Sequence, residues 1–170
     1  MAEIMKLDRI DINILAEMQK DGRLTNSDLA DRVHLSASPC LMRVRKLHNA
    51  GLIRSIEAHI NLSGMANILT VLTEVTLNRH KPQDLARFVD ALTEIENVVE
   101  CHFVSSGYDY MVKFITSGIT EYQEIMENIL DMNLGLKRYF SYVVFKTPIM
   151  PRQVPVLAVY RKSEQCESDK

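Results

Sequence analysis

Three basic side chains crowd one short stretch of this chain. Arg43, Arg45 and Lys46, with Arg54 further on, fall between Cys40 and Arg54, where there is no acid. Cations clustered in this way either stand in water as a solvated face or neutralise phosphate. An arginine can also bond guanine through two parallel N–H groups, which makes Arg43 and Arg45 the candidates for base edges and Lys46 the candidate for backbone phosphate. Ser36 and Ser38 bring hydroxyls to what reads as a helix N-terminus, where N–H groups and the helix dipole favour an anion. Pro39 orients that helix rather than touching bases. A second stretch carries different chemistry. Ser105, Ser106 and Gly107 are small, and Tyr108 and Asp109 follow. The Asp109 carboxylate suits the ammonium group of a ligand, and backbone N–H groups of the small residues suit a carboxylate. An amino acid offers both ends. Asp109 as a plain turn residue of a hairpin is the alternative.

Other reactive side chains support less. Cys101 and His102 are adjacent, but neighbours in a strand point to opposite faces, so a nucleophilic pair is not expected. His34, His48, His59 and His80 lack metal-ligand spacing, and no phosphate-binding, dinucleotide or serine-elbow motif is present. Three scattered cysteines give neither a disulfide framework nor a metal knuckle and read as free thiols of a reducing cytoplasm. No apolar run approaches the roughly 18 residues of a membrane span, and no signal peptide is expected. The 170 residues carry 20 Lys and Arg against 22 Asp and Glu. The net charge of −2 argues against a bulk polyanion binder, but it is segregated. Residues 1–60 sum to +1 and the remainder to −3.

The elements that must position these groups follow from periodicity. Leu7, Ile10, Ile14, Leu15 and Met18 recur at helical spacing, with Asp8 as cap and Asp21-Gly22 as stop. Thr25 with Asp28 starts a second helix, which buries Leu29, Ala30 and Val33. Ser38 as cap and Pro39 at the first position start a third, with Leu41, Val44 and Leu47 inside and Ala50-Gly51 at its end. Two of three short helices joined by a tight turn make a helix-turn-helix. Leu52–Ile60 alternates weakly and is expected to form a wing or linking strand. Beyond it the period changes to two. A strand over 70–77, a helix through Leu85, Phe88, Val89 and Leu92, strands over Val98–Val104 and Tyr108–Ile115, a helix through Tyr122–Leu130 and a strand over Arg138–Phe145 give β-α-β-β-α-β. Both helices on one face of an antiparallel sheet leave the other face open. Tyr108, Tyr110, Phe140 and Tyr142 on that face point to a second copy of the chain. The expected division is 1–60, a linker 61–68, 69–148, and a tail 149–170 in which Val156–Tyr160 adds an edge strand.

These residues resemble the Lrp/AsnC, or feast/famine, family of prokaryotic transcription regulators. The likeness is carried by Leu7-Asp8-Arg9-Ile10-Asp11 and Gln19–Arg23, by Leu35–Leu41 with Arg43–Leu47, by Glu100-Cys101-His102, Tyr108-Asp109-Tyr110 and Tyr142-Val143-Val144. It spans residues 6 to 147. The resemblance implies an α+β chain: a winged helix-turn-helix followed by a ferredoxin-like αβ-sandwich (RAM) domain. It implies a sequence-specific regulator bound to double-stranded DNA through Ser36, Ser38, Pro39, Arg43, Arg45 and Lys46. It further implies assembly into dimers and then tetramers or octamers of dimers. A small effector, an amino acid rather than a cofactor, would bind near Ser105, Ser106, Gly107, Tyr108, Asp109 and Tyr142. Ser106 stands where the family commonly has glycine, and Gly107 comes one place later, so the turn or the effector differs from the common pattern. No enzyme activity or metal is implied. Two rivals exist: an enzyme like the siroheme decarboxylases, which share this fold, and a metabolite-binding partner that has lost DNA binding. The basic third helix argues against both.

Overall fold

The computed structural model describes residues 5–105, 107–149 and 153–160. The described residues form two compact units: those up to His59 together with those from Ile149 onward, and Ile60–Pro148. No helix among them is long and apolar enough to cross a membrane.

The first unit is built on α1 (Arg9–Lys20), α2 (Asn26–Arg32) and α3 (Ala37–Asn49). The starts of α1 and α2 are capped by side chains. The Asp8 side chain accepts from the Asp11 N–H at 2.8 Å, and the Asp11 carboxylate accepts from the Asp8 N–H, a reciprocal capping box. Thr25 accepts from the Asp28 N–H at 3.1 Å. The ends of α2 and α3 are each closed by a left-handed residue. At α3 this is Gly51, with the Leu52 N–H donating to the Leu47 carbonyl. At α2 it is His34, φ 58°, with the Leu35 N–H donating to the Ala30 carbonyl at 2.9 Å. That closure makes the tight turn into α3.

Ile14, Leu29, Ala30, Val33, Cys40 and Leu47 fill the core of this unit. Cys40 takes the place expected for Leu41, which is half-exposed. The reason is the start of α3. Ser36, not Ser38, is the N-cap, so Pro39 sits third in the helix. It remains in the first turn, where no intrahelical donor is needed. The strand expected over Leu52–Ile60 is not formed. This stretch has no ladder partner among the described residues and is exposed except for Ile53, which packs on the helical core.

Residues 156–160 are helical rather than an edge strand. Pro155 supplies the first carbonyl, which accepts from Ala158 and Val159, and a proline is well suited to a helix start. The Tyr160 hydroxyl donates to the Leu7 carbonyl at 2.6 Å.

The second unit contains β1 (Leu69–Leu77), α4 (Pro82–Thr93), β2 (Val98–Phe103), β3 (Tyr110–Thr116), α5 (Ile119–Asp131) and β4 (Leu136–Val143). All pairings are antiparallel in the order β2-β3-β1-β4. Val71, Val75 and Leu77 of β1 meet Phe88 and Leu92 of α4, Tyr122, Met126 and Ile129 of α5, and Val112 and Phe114 of β3 in one cluster. Both helices therefore cover one face. Burying each such side chain contributes about 1.5–3 kcal/mol. Thr73 is the polar member of the β1 stripe. Its hydroxyl lies 2.8 Å from the Tyr122 hydroxyl, which also bonds Ser141 of β4, so α5 is pinned to two strands. Register corrects one expectation. Tyr110 pairs with Val75 and shares its helix-facing side, where it is buried against Phe88 and Phe103. Phe140 and Tyr142 pair with Glu74 and Leu72 and stay about half exposed on the open face.

Candidate DNA interface and effector loop

Helix α3 presents a mixed outer surface. Ser36, Ser38 and Pro39 are exposed at its start, and the Ser36 hydroxyl makes no cap hydrogen bond. The N–H groups of the first turn have no intrahelical acceptor and point along the axis. Such an end has the geometry to hold a phosphate oxygen. Asn26 of α2 donates to the Ala37 carbonyl at 2.8 Å and so fixes this end against the preceding helix. Met42, Arg45 and Lys46 are exposed along the same helix.

Arg43 is placed differently from the expectation of a base-reading side chain. Its Nη1 lies 2.6 Å from Asp8 Oδ2 and 2.6 Å from Asp11 Oδ1. These are the two capping residues of α1. Asp11 is 1% exposed, so its charge needs a partner, and Lys46 Nζ stands 3.9 Å from its other oxygen. Both carboxylates raise the Arg43 pKa, the hydrogen bond to Asp8 first and then that to Asp11. The Asp8 carboxyl is pulled below its ordinary range, first by the Asp11 N–H and then by Arg43. The physical reason is steric order. Arg43 projects toward the start of α1, whereas Arg45, two positions on, projects to solvent. Arg43 is therefore a brace between the first and third helices. Burial pushes the Cys40 thiol up, in keeping with a core role.

In the second unit, the loop between β2 and β3 gathers most of the other expected residues. Asp109 is not a free carboxylate. Oδ2 accepts from the Leu77 N–H at 2.7 Å, at the end of β1, and Oδ1 lies 2.8 Å from His80 Nε2. Its backbone is also tied down. The Asp109 N–H donates to Val75, and its carbonyl accepts from Val104. Arg138 of β4 donates to the Gly107 carbonyl at 2.8 Å and to the Thr76 hydroxyl. Tyr108 and Tyr142 lie near each other. The Tyr142 phenol is pushed up by desolvation first, then by the neighbouring Glu74 carboxylate and Tyr108. Ser105 is exposed. Ser106 lies outside the described residues.

His80 and Arg138 were not among the expected site residues. Both touch the 107–109 segment from elements 29 and 31 residues away in sequence. A polar loop after a strand gives no local sign of such a contact. Glu100, between Lys113 and His102 on the open face, is held below the usual carboxylate range chiefly by Lys113. Among the described residues no cluster of three potential metal ligands occurs, and the described cysteines, Cys40 and Cys101, are free.

Comparison with known proteins matches both units. Residues 7–54 match the family described as winged helix-turn-helix DNA-binding, and residues 70–154 match the Lrp/AsnC ligand binding domain. The transcriptional regulatory protein DoeX of Halomonas elongata is 40% identical over 147 residues, covering 86% of this chain and 93% of its own. The leucine-responsive regulatory protein of Escherichia coli is 40% identical over 140 residues, 82% of this chain and 85% of its own. A transcriptional regulator of Neisseria meningitidis, solved in complex with L-methionine, superposes with a TM-score of 0.81 at 27% identity. That match covers 91% of this chain and 99% of the other.

Proposed function

The chain belongs to the Lrp/AsnC family of transcriptional regulators, a DNA-binding helix-turn-helix joined to a ligand-binding domain, and from that premise we propose which residues do each job. Helix α3 enters the major groove. Arg45 contacts a base edge, and Lys46, Ser36 and Ser38 take backbone phosphate. Pro39 shapes the helix start. Arg43 holds α3 on α1 and positions the reading side chains rather than reading. The observation that carries this assignment is the split between Arg45, exposed, and Arg43, bridged to Asp8 and Asp11.

The same proposal gives the second unit an amino-acid effector. One relative is named for its response to leucine and another was solved with L-methionine. Asp109, Tyr108, Gly107, Ser105, Ser106 and Tyr142 would surround the effector's polar groups. Chains would pair through the open sheet face, where Phe140, Tyr142 and Leu72 stand uncovered by helix, and dimers would assemble further in the cytoplasm. An effector shifts such an assembly only by preferring one of its arrangements, and its coupling to DNA affinity is reciprocal. The test is selection of bound duplexes from a random pool at fixed salt, followed by titration of the selected duplex with each of the twenty amino acids. Recovery of a two-fold-related motif whose affinity changes with an amino acid supports the reading. A pool that stays random contradicts it.

A further inference from the structure

The environment of Asp109 carries a consequence for how a ligand reaches it. One carboxylate oxygen is committed to the Leu77 N–H at 2.7 Å. Leu77 is 2% exposed, and a buried N–H left without an acceptor is costly, so that bond stays. The Asp109 side chain is only 15% exposed, whereas the His80 side chain on its other oxygen is 57% exposed. His80 therefore stands on the solvent side of the only carboxylate oxygen left to an incoming cation. It sits on the short connection between β1 and α4, in exposed chain, so its removal from Asp109 disrupts no core packing. A hydrogen bond made by so exposed a side chain is held weakly, since water replaces it readily.

We infer that His80 is a latch on Asp109: the ammonium group of an amino-acid ligand reaches the carboxylate by displacing the imidazole from Oδ1. The two groups compete for one acceptor, and both offer it a charge-assisted N–H bond. Ligand affinity at this loop is then set by the difference between the two bonds. His80 acts as a selectivity residue: it rejects ligands that lack a cationic group able to replace it. The inference rests on the proposed effector site.

The experiment uses the full chain and the twenty proteinogenic amino acids as probes, with the N-acetyl form of every hit, in thermal-shift and calorimetric titrations. Three proteins are compared: the unaltered chain, His80→Ala and Asp109→Asn. The latch predicts that His80→Ala tightens amino-acid binding by about two- to tenfold, the range a net intramolecular hydrogen bond corresponds to. The N-acetyl forms gain nothing. Asp109→Asn keeps an oxygen for the Leu77 N–H, so the strand end holds, and it loses binding by at least about tenfold. Weaker or unchanged binding in His80→Ala, with Asp109→Asn impaired, overturns the latch and leaves the site standing. Unchanged binding in Asp109→Asn overturns the site and the latch together. So does the absence of any amino-acid binding to both the unaltered chain and His80→Ala.

Discussion

Arg43 of α3 donates to Asp11 of the first helix at 2.6 Å, and Asp11 is one of the most deeply buried polar residues among those described. The same nitrogen reaches Asp8. A single guanidinium thus ties the capping box of α1 to α3. The orientation of the helix proposed to read DNA is set by electrostatics as well as by the core beneath it.

Removing that guanidinium has a defined cost. Arg43→Ala leaves Asp11 with the Asp8 N–H and a more distant Lys46. The expected loss is about 1–3 kcal/mol of stability in the first unit, the range for a buried charged acceptor that loses its donor. Urea unfolding followed by circular dichroism measures it. A midpoint equal to the unaltered protein's would mean that Arg43 is no brace.

Acid acts on the same constellation. The folded Asp8 carboxyl titrates below its ordinary value, so the unfolded chain binds more protons as pH falls. The stabilisation is fully present above the unfolded carboxylate range, about pH 4. It is lost as pH drops through the lower folded value. Stability measured from pH 7 to pH 3 should fall, and Asp8→Asn should flatten that fall. An equally steep curve in the variant would assign the acid sensitivity elsewhere. Glu121 is one such place, since the Ser117 N–H and hydroxyl hold it low.

The helix-turn-helix corner holds His34 at φ 58°, a conformation that an L side chain adopts at a cost. His34→Gly should stabilise the first unit by about 0.5–1 kcal/mol, because glycine takes this conformation freely. A raised thermal midpoint is the expected readout. A lowered one would show that the His34 side chain contributes more than its backbone costs.

In the sheet unit, the Tyr122 hydroxyl joins Thr73 and Ser141. Tyr122→Phe removes it at nearly constant volume and leaves the fully buried Thr73 hydroxyl without that partner. The cost should be about 1–3 kcal/mol. Chemical denaturation of the second unit tests it, and a change within error would mean that Thr73 finds another acceptor.

Much of the architecture was legible in the residues. Alternation in Val71, Thr73, Val75 and Leu77 marked β1 and its buried side, and Asp8, Thr25 and Gly51 marked helix ends through their caps. Local patterns fail where a long-range pairing decides. Tyr110 and Tyr142 look alike in sequence, yet register sends Tyr110 to the helices and Tyr142 to the open face. Arg43 and Arg45 look equally basic, but partners 32 and 35 residues away claim Arg43. Asp109 reads as an open carboxylate until β1 and His80 are placed against it. The helix at 156–160 reads as a strand because five residues have too little periodicity to tell the two apart.

The central claim is the division of labour between two arginines on one helix. It is tested most directly by measuring the affinity of Arg45→Ala for a selected duplex at fixed salt, alongside its thermal midpoint. The account predicts a loss of about 1–3 kcal/mol in specific binding, with discrimination relaxed at one base position and the midpoint unchanged. An affinity equal to that of the unaltered protein would contradict it.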